Sequence, residues 1–184
     1  MNFTADLSGV LPRYRPLFQA AIEKMPEVIK SPLFLHNLKA EILKSKNLEG
    51  ELSKWKNASM EEIYQYIVAS DIHLVLHTYY TVKNVIGYGY ASTVDIYVNT
   101  KYLVNDSLDD LEDLMDIGSN LLHEHGHDMG FDHDFKVTRR RPNSICYILN
   151  RAYEKTFKQV YGLPEKPQIV YVTPWWKKIL NVFR

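Results

Sequence analysis

The hydrophobic positions of this chain change period twice. They recur at helical spacing up to about residue 70, alternate between about 71 and 99, and return to helical spacing from about 107. Residues 1 to 16, with prolines at 12 and 16, follow neither period and are expected to be irregular. Leu17 to Met25 suits a short helix that Pro26 would stop. Ser31-Pro32 supplies a cap followed by proline at the first helical position, and Leu35, Leu38, Ile42 and Leu43 then recur on one face, with Gly50 well past the end. Ser59-Met60-Glu61-Glu62 is a capping box that opens a helix with Ile63 and Ile67 inward and Tyr66 beside them. These helices are expected to pack behind a sheet.

The character changes at Asp71. Ile72 to Val82 is rich in branched and aromatic residues and predicts a strand. His73 and His77 would share one face of it about 13 Å apart, too far to share a metal, which makes them core or surface histidines. Gly87 and Gly89, alternating with Tyr88 and Tyr90, predict a second strand with a bend or bulge. Thr93 to Asn99 alternates as a third, with Val94, Ile96 and Val98 on one face. Asp106-Ser107 then opens a long helix whose first turns hold Asp109, Asp110, Glu112 and Asp113, where negative charge meets the helix dipole. The glycine and spacing of a calcium loop are missing from this acidic run, so it reads as a solvated face. Leu108, Leu111, Met115 and Leu122 form its expected buried stripe, and Gly118 marks a kink or a close packing point. Ser144 to Val160 predicts a further helix with Ile145, Leu149, Ala152, Tyr153 and Phe157 in phase. The last residues, V-Y-V-T-P-W-W-K-K-I-L-N-V-F-R, are expected to dock on the core rather than lie on a membrane.

Composition narrows the classes. With 184 residues, 46% hydrophobic and 24% charged, the chain suits one globular domain. Its 22 acidic and 22 basic side chains balance, so no overall field favours nucleic acid or acidic membranes. A single cysteine excludes an internal disulfide. No segment has the length of a signal peptide or a membrane span, which leaves open a cytoplasmic protein and an exported one whose signal was removed. Oligomeric state is open as well.

Candidate chemistry concentrates between Asn120 and Asp134, N-L-L-H-E-H-G-H-D-M-G-F-D-H-D. Four residues apart on a helix, His123 and His127 lie roughly 40° from one another and present both imidazoles on one face. Glu124 stands on the edge of that face, close enough to work on a metal-bound water without being a ligand. Gly130 falls where a helix can end in a left-handed turn, which would bring His133 back as a third ligand. Three neutral imidazoles with one open position describe a catalytic zinc site rather than a closed structural one. His125, about 200° from His123, should face away and serve packing or solvent contact. Asp134 is open between a loop residue and a partner for a ligand imidazole. Arg139, Arg140 and Arg141 are open between a solvated cluster and a site for a substrate carboxylate or phosphate.

The spacing H-E-x-x-H-x-x-G-x-x-H closely resembles the zinc signature of the metzincin peptidases. The resemblance implies Zn²⁺ held by His123, His127 and His133, with Glu124 as general base and acid. It implies an α+β fold of the zincin type across 1–184: amino-terminal helices, a short mixed sheet with a cleft-edge strand, a long zinc-site helix and a carboxy-terminal helix. An upper lobe would cover about 1–130 and a lower lobe about 131–184. Thr93 to Asn99 holds the place of the cleft-edge strand that pairs with extended substrate, although an ordinary core strand is the equal alternative. Metzincins carry a methionine turn beneath the metal. No methionine follows Met129 here, and Asn143-Ser144-Ile145-Cys146-Tyr147 is the nearest match, with Cys146 in the methionine's place as a soft apolar floor. Tyr147 is the candidate to stabilise the oxyanion, beside the alternative of a packing tyrosine.

The expected function is zinc-dependent hydrolysis of peptide bonds in protein or peptide substrates, without nucleic acid and without stable membrane insertion. Two alternatives stand beside it. Gly130-Phe131-Asp132-His133 and the three histidines also resemble the bacterial rRNA-maturation endoribonucleases, which lack glutamate at the position of Glu124. The other is a binding module whose zinc only stabilises the fold.

Overall fold

The structure, a computed structural model, describes residues 3–83, 86–89, 94–103, 107–136 and 138–165. The segment expected to dock on the core, from Val170 onward, lies outside them, as do Tyr90, Thr93 and Asp106. The chain is mixed α and β. Strand β1 (Phe3–Gly9) leads into α1 (Arg15–Ile29), α2 (Pro32–Lys44) and α3 (Met60–Ala69). Then come β2 (Ile72–Tyr79), β3 (Gly87–Gly89) and β4 (Asp95–Asn99), followed by α4 (Leu111–Asp128) and α5 (Ile145–Tyr161).

The four strands form one mixed sheet in the order β1-β2-β4-β3. β1 and β4 flank β2 in parallel, and β3 runs antiparallel along β4. Phe3–Gly9, within the stretch expected to be irregular, is thus a strand. β1 is a parallel edge strand, and its partner β2 is about 70 residues away, beyond the reach of any local periodicity. Of the two readings of Thr93 to Asn99, the core strand holds for its described part, Asp95–Asn99. β4 is an interior strand, and the edge beside it is β3.

The helices follow their local signals closely. Ser31 Oγ accepts the Leu33 N–H at the start of α2, and Ser59 and Glu62 close the expected capping box on α3. On α2 the buried face holds Phe34, Leu38 and Ile42, whereas Leu43 is exposed. Pro26 does not stop α1. The ring removes one hydrogen bond near the carboxy-terminal end, but Val28 and Ile29 beyond it are buried. Burying two such side chains offsets the ~3 kcal/mol a helical proline costs.

α4 begins at Leu111, later than Asp106-Ser107. Asp110 is the cap, accepting from the Glu112 N–H, and the Ser107 N–H instead reaches the Asp113 carboxylate. Leu108 therefore lies outside the helix and is exposed. Leu114, Met115, Ile117, Leu121 and Leu122 carry α4 into the core against α1 and α5, and α2 closes on the other side of α5. α5 presents Ile145, Leu149, Ala152, Tyr153 and Phe157 inward, in the expected phase.

Gly118 is a close packing point rather than a kink. A Cβ there would run into the Tyr153 hydroxyl, which is buried and has no hydrogen-bond partner. Gly118→Ala would recover up to about 1 kcal/mol of helix propensity but should lose about 1–3 kcal/mol to overpacking. Urea unfolding should show a net loss of stability with an unchanged m-value, and a smaller loss when Tyr153→Phe is added.

Candidate metal centre

α4 places His123 and His127 on one face, one turn apart, with ring centroids 5.3 Å from each other. The helix then ends in a Schellman motif. The Gly130 N–H bonds the His127 carbonyl at 2.9 Å and the Phe131 N–H bonds the Gly126 carbonyl at 3.0 Å. Gly130 holds the motif's left-handed position, at φ +87°. This reversal swings the chain back over the helix end and returns His133 to within 4.7 Å of the His127 ring centroid.

The three histidines are buried, and their ligand atoms lie within 4.8 Å of one another. His123 Nε2 and His133 Nε2 are 3.3 Å apart. A four-coordinate ion with Zn–N bonds of about 2.0–2.1 Å sets its ligands about 3.3–3.4 Å apart, so this pair already spans a tetrahedral edge. Each imidazole is also fixed by its other side. His127 Nδ1 meets the Phe131 carbonyl at 3.1 Å and His133 Nδ1 meets the Asp134 carbonyl at 2.8 Å. His123 bonds the backbone of Cys146. Burial, then the neighbouring imidazoles, holds His123 well below and His127 below the usual histidine pKa. These two rings are therefore kept in the neutral form that a metal requires.

Glu124 is buried in the same cleft. Burial pushes its carboxyl up to about 7, against a hydrogen bond from the Gly89 backbone that lowers it. That bond exists because β3 lies directly on α4. A Cβ at Gly87 would be 3.4 Å from Glu124 Oε1 and one at Gly89 would be 3.1 Å from the Glu124 carbonyl, so the two glycines allow the strand this approach.

Cys146 and Tyr147 sit in the first turn of α5. Cys146 is fully buried beneath the site, with Sγ 3.7 Å from His127 Nδ1. The Tyr147 ring lies 4.5 Å from that of His123 and 4.9 Å from that of His133. His125 faces away and is buried, with Asp128 as its nearest carboxylate at 3.4 Å. The Asp134 carbonyl, not its carboxylate, orients the His133 ring. His73 and His77 bond Thr4 and Asp95 separately on the sheet, away from this cluster.

One residue of the site carries no mark in the sequence. Glu51 is completely buried in the loop after α2 and accepts three backbone N–H groups: Asp132 at 2.6 Å, Ile145 at 2.8 Å and Ser53 at 3.2 Å. It thereby joins the segment before His133 to the start of the helix that carries Cys146 and Tyr147. The loop reaches it through Lys46, Asn47 and Leu48, all left-handed (φ 51°, 59° and 61°). Gly50 follows, where any Cβ would collide with the Arg140 carbonyl. Gly50 is the one sequence sign of this contact, and spacing alone does not connect it to the histidines.

These side chains open onto a cleft of about 1010 Å³. Its walls include Tyr88 of β3, Tyr102, Phe135 and Arg141, with Asp113, Asp116 and Glu154 along the helices.

Two measurements test this construction. Glu51→Gln replaces one accepting oxygen with an amide that faces a backbone N–H. Chelator competition should show metal affinity about 10- to 100-fold weaker, with helical circular dichroism retained. The second concerns Glu124 in metal-free protein. Between its unfolded value of 4.5 and its folded value of about 7, the native state keeps a proton that the unfolded state has lost, so stability falls as pH rises through that window. Glu124→Gln removes this loss, and urea denaturation should show the variant overtaking the wild type by about 3 kcal/mol between pH 4.5 and pH 8.

Comparison with known proteins finds no matching family model, no matching curated protein and no matching solved structure. What stands on the geometry is a buried cluster of three histidines that could hold a metal ion.

Proposed function

We propose that this protein is a zinc-dependent endopeptidase of the metzincin type. The observation that carries the proposal is the placing of a buried carboxylate, Glu124, in one cleft with three buried imidazoles whose free nitrogens converge. A module that used zinc only to brace its fold would have no need of that carboxylate. When bound, zinc would supply a water acidified to a pKa of about 7 and a Lewis acid for the substrate carbonyl.

The chain's own groups divide the remaining work. Glu124 takes a proton from the attacking water as its oxygen bonds to the carbonyl carbon. It then delivers that proton to the amide nitrogen as the C–N bond breaks, leaving an amine and a carboxylic acid. The Gly89 N–H keeps the carboxylate aimed during both transfers. Tyr147, over the His123 and His133 rings, donates a hydrogen bond from its hydroxyl to the developing oxyanion and keeps its proton. Cys146 takes the methionine's place as the apolar floor. β3, the edge strand beside β4, replaces Thr93 to Asn99 as the candidate to pair with an extended substrate. The substrate is accordingly a protein or peptide chain. No helix among the described residues is long and apolar enough to cross a membrane.

Zinc-loaded wild-type protein should cut a denatured protein or a peptide library. Glu124→Gln should keep its zinc and lose at least about 100-fold in rate. Cleavage of structured RNA that survives Glu124→Gln would assign the endoribonuclease reaction instead. Tight zinc binding with no hydrolysis of either substrate would leave the stabilised module.

A further inference from the structure

Arg141 stands in the same cleft without a carboxylate in contact: the Tyr147 hydroxyl is its hydrogen-bond partner, and Glu124 acts on it only at longer range. Among the described residues no carboxylate comes within ion-pair distance of it, and its Nε is buried with no hydrogen-bond partner. The contrast with Arg151 is direct. That guanidinium bonds the Glu41 carboxylate, the Pro142 carbonyl and Ser45 Oγ. Arg139 and Arg140 are exposed, so of the three consecutive arginines only Arg141 is drawn into the cleft.

Its position is built rather than incidental. A short 3-10 turn at Arg141–Asn143 begins there, and the Arg141 N–H donates to Thr138 Oγ1 at 3.2 Å. The preceding carbonyl is pressed against Gly50, where no side chain would fit. The guanidinium carbon lies 5.1 Å from the centroid of the Tyr147 ring, the ring that also covers His123 and His133. A cation close enough to act on His123 opposes its binding of a dication, and a partly desolvated guanidinium with one buried N–H unpaired is costly. A substrate that brings the missing anion removes both costs. The planar fork of donors matches a carboxylate in two parallel bonds.

We propose that Arg141 forms a carboxylate-binding subsite beside the metal centre. It selects peptides that carry a carboxylate within a residue or two of the scissile bond. This rests on the peptidase reading and adds the substrate class to it. The carboxylate has two sources, the free end of a short peptide or an acidic side chain.

Zinc-loaded wild type and Arg141→Gln are compared on one peptide in four forms: free or amidated carboxy terminus, each with Glu or Gln flanking the scissile bond. Wild type should prefer carboxylate-bearing forms by about tenfold or more in kcat/KM, mostly through KM, and Arg141→Gln should bring that ratio near one at equal zinc content. Amidation abolishing the preference assigns the terminal carboxylate, and Glu→Gln in the peptide abolishing it assigns the side chain. Equal loss on all four forms, or no preference in the wild type, overturns the subsite.

Should wild type cut no peptide at all, the peptidase reading fails, and the subsite is judged by binding alone. N-acetylglutamate α-amide should then bind zinc-loaded wild type at least fivefold more tightly than Arg141→Gln. Equal binding overturns the proposal, and preferential binding of an RNA oligonucleotide that depends on Arg141 replaces the carboxylate with a phosphodiester.

Discussion

One buried carboxylate holds together the parts of this site that do not belong to a single helix. Glu51 accepts N–H groups from Ser53, Asp132 and Ile145, three places that secondary structure leaves unsatisfied. A backbone N–H bonded to a charged acceptor contributes about 1.5–3 kcal/mol, and an orphaned one costs a similar amount. The arrangement also explains an expensive loop. Three successive left-handed residues without a glycine cost about 1–2 kcal/mol each. Burial of Leu48 offsets part of that, and the three bonds to Glu51 offset the rest.

Legibility in the sequence followed the range of the interactions. The cap at Ser31, the box at Ser59 and Glu62, and the turn at Gly130 all act within a few residues, and each is where the sequence puts it. His123, His127 and His133 were legible for the same reason, since one helix and one turn suffice to bring them together. β1 was not, because its register is written in Ile72 to His77 and not in itself. Pro26 misled because its local cost is set against buried side chains that lie past it. Glu51 belongs to the same class of miss. Its partners are main-chain groups far along the chain, and no spacing rule relates them.

The two glycines of β3 show how a weak strand signal can carry a strong tertiary one. Alternation with tyrosine suggested only a bend. Their absent side chains instead let the sheet edge touch α4 at Asn120 and Glu124, which brings a backbone donor to the carboxylate. The same closeness makes Tyr88 a wall of the cleft. Position of the helix, orientation of Glu124 and the shape of the opening are thus one packing decision.

The oxygens that orient the three imidazoles are all main chain: those of Phe131, Asp134 and Cys146. Replacing the side chains at these positions would leave the oxygens in place. Alanine at these three positions would therefore leave the support of the ligands in place. Rigidity of that kind is inherited from the course of the polypeptide, so it is loosened by changes that redirect the path, at Gly130 or Gly50, or that cut the Glu51 tie holding it.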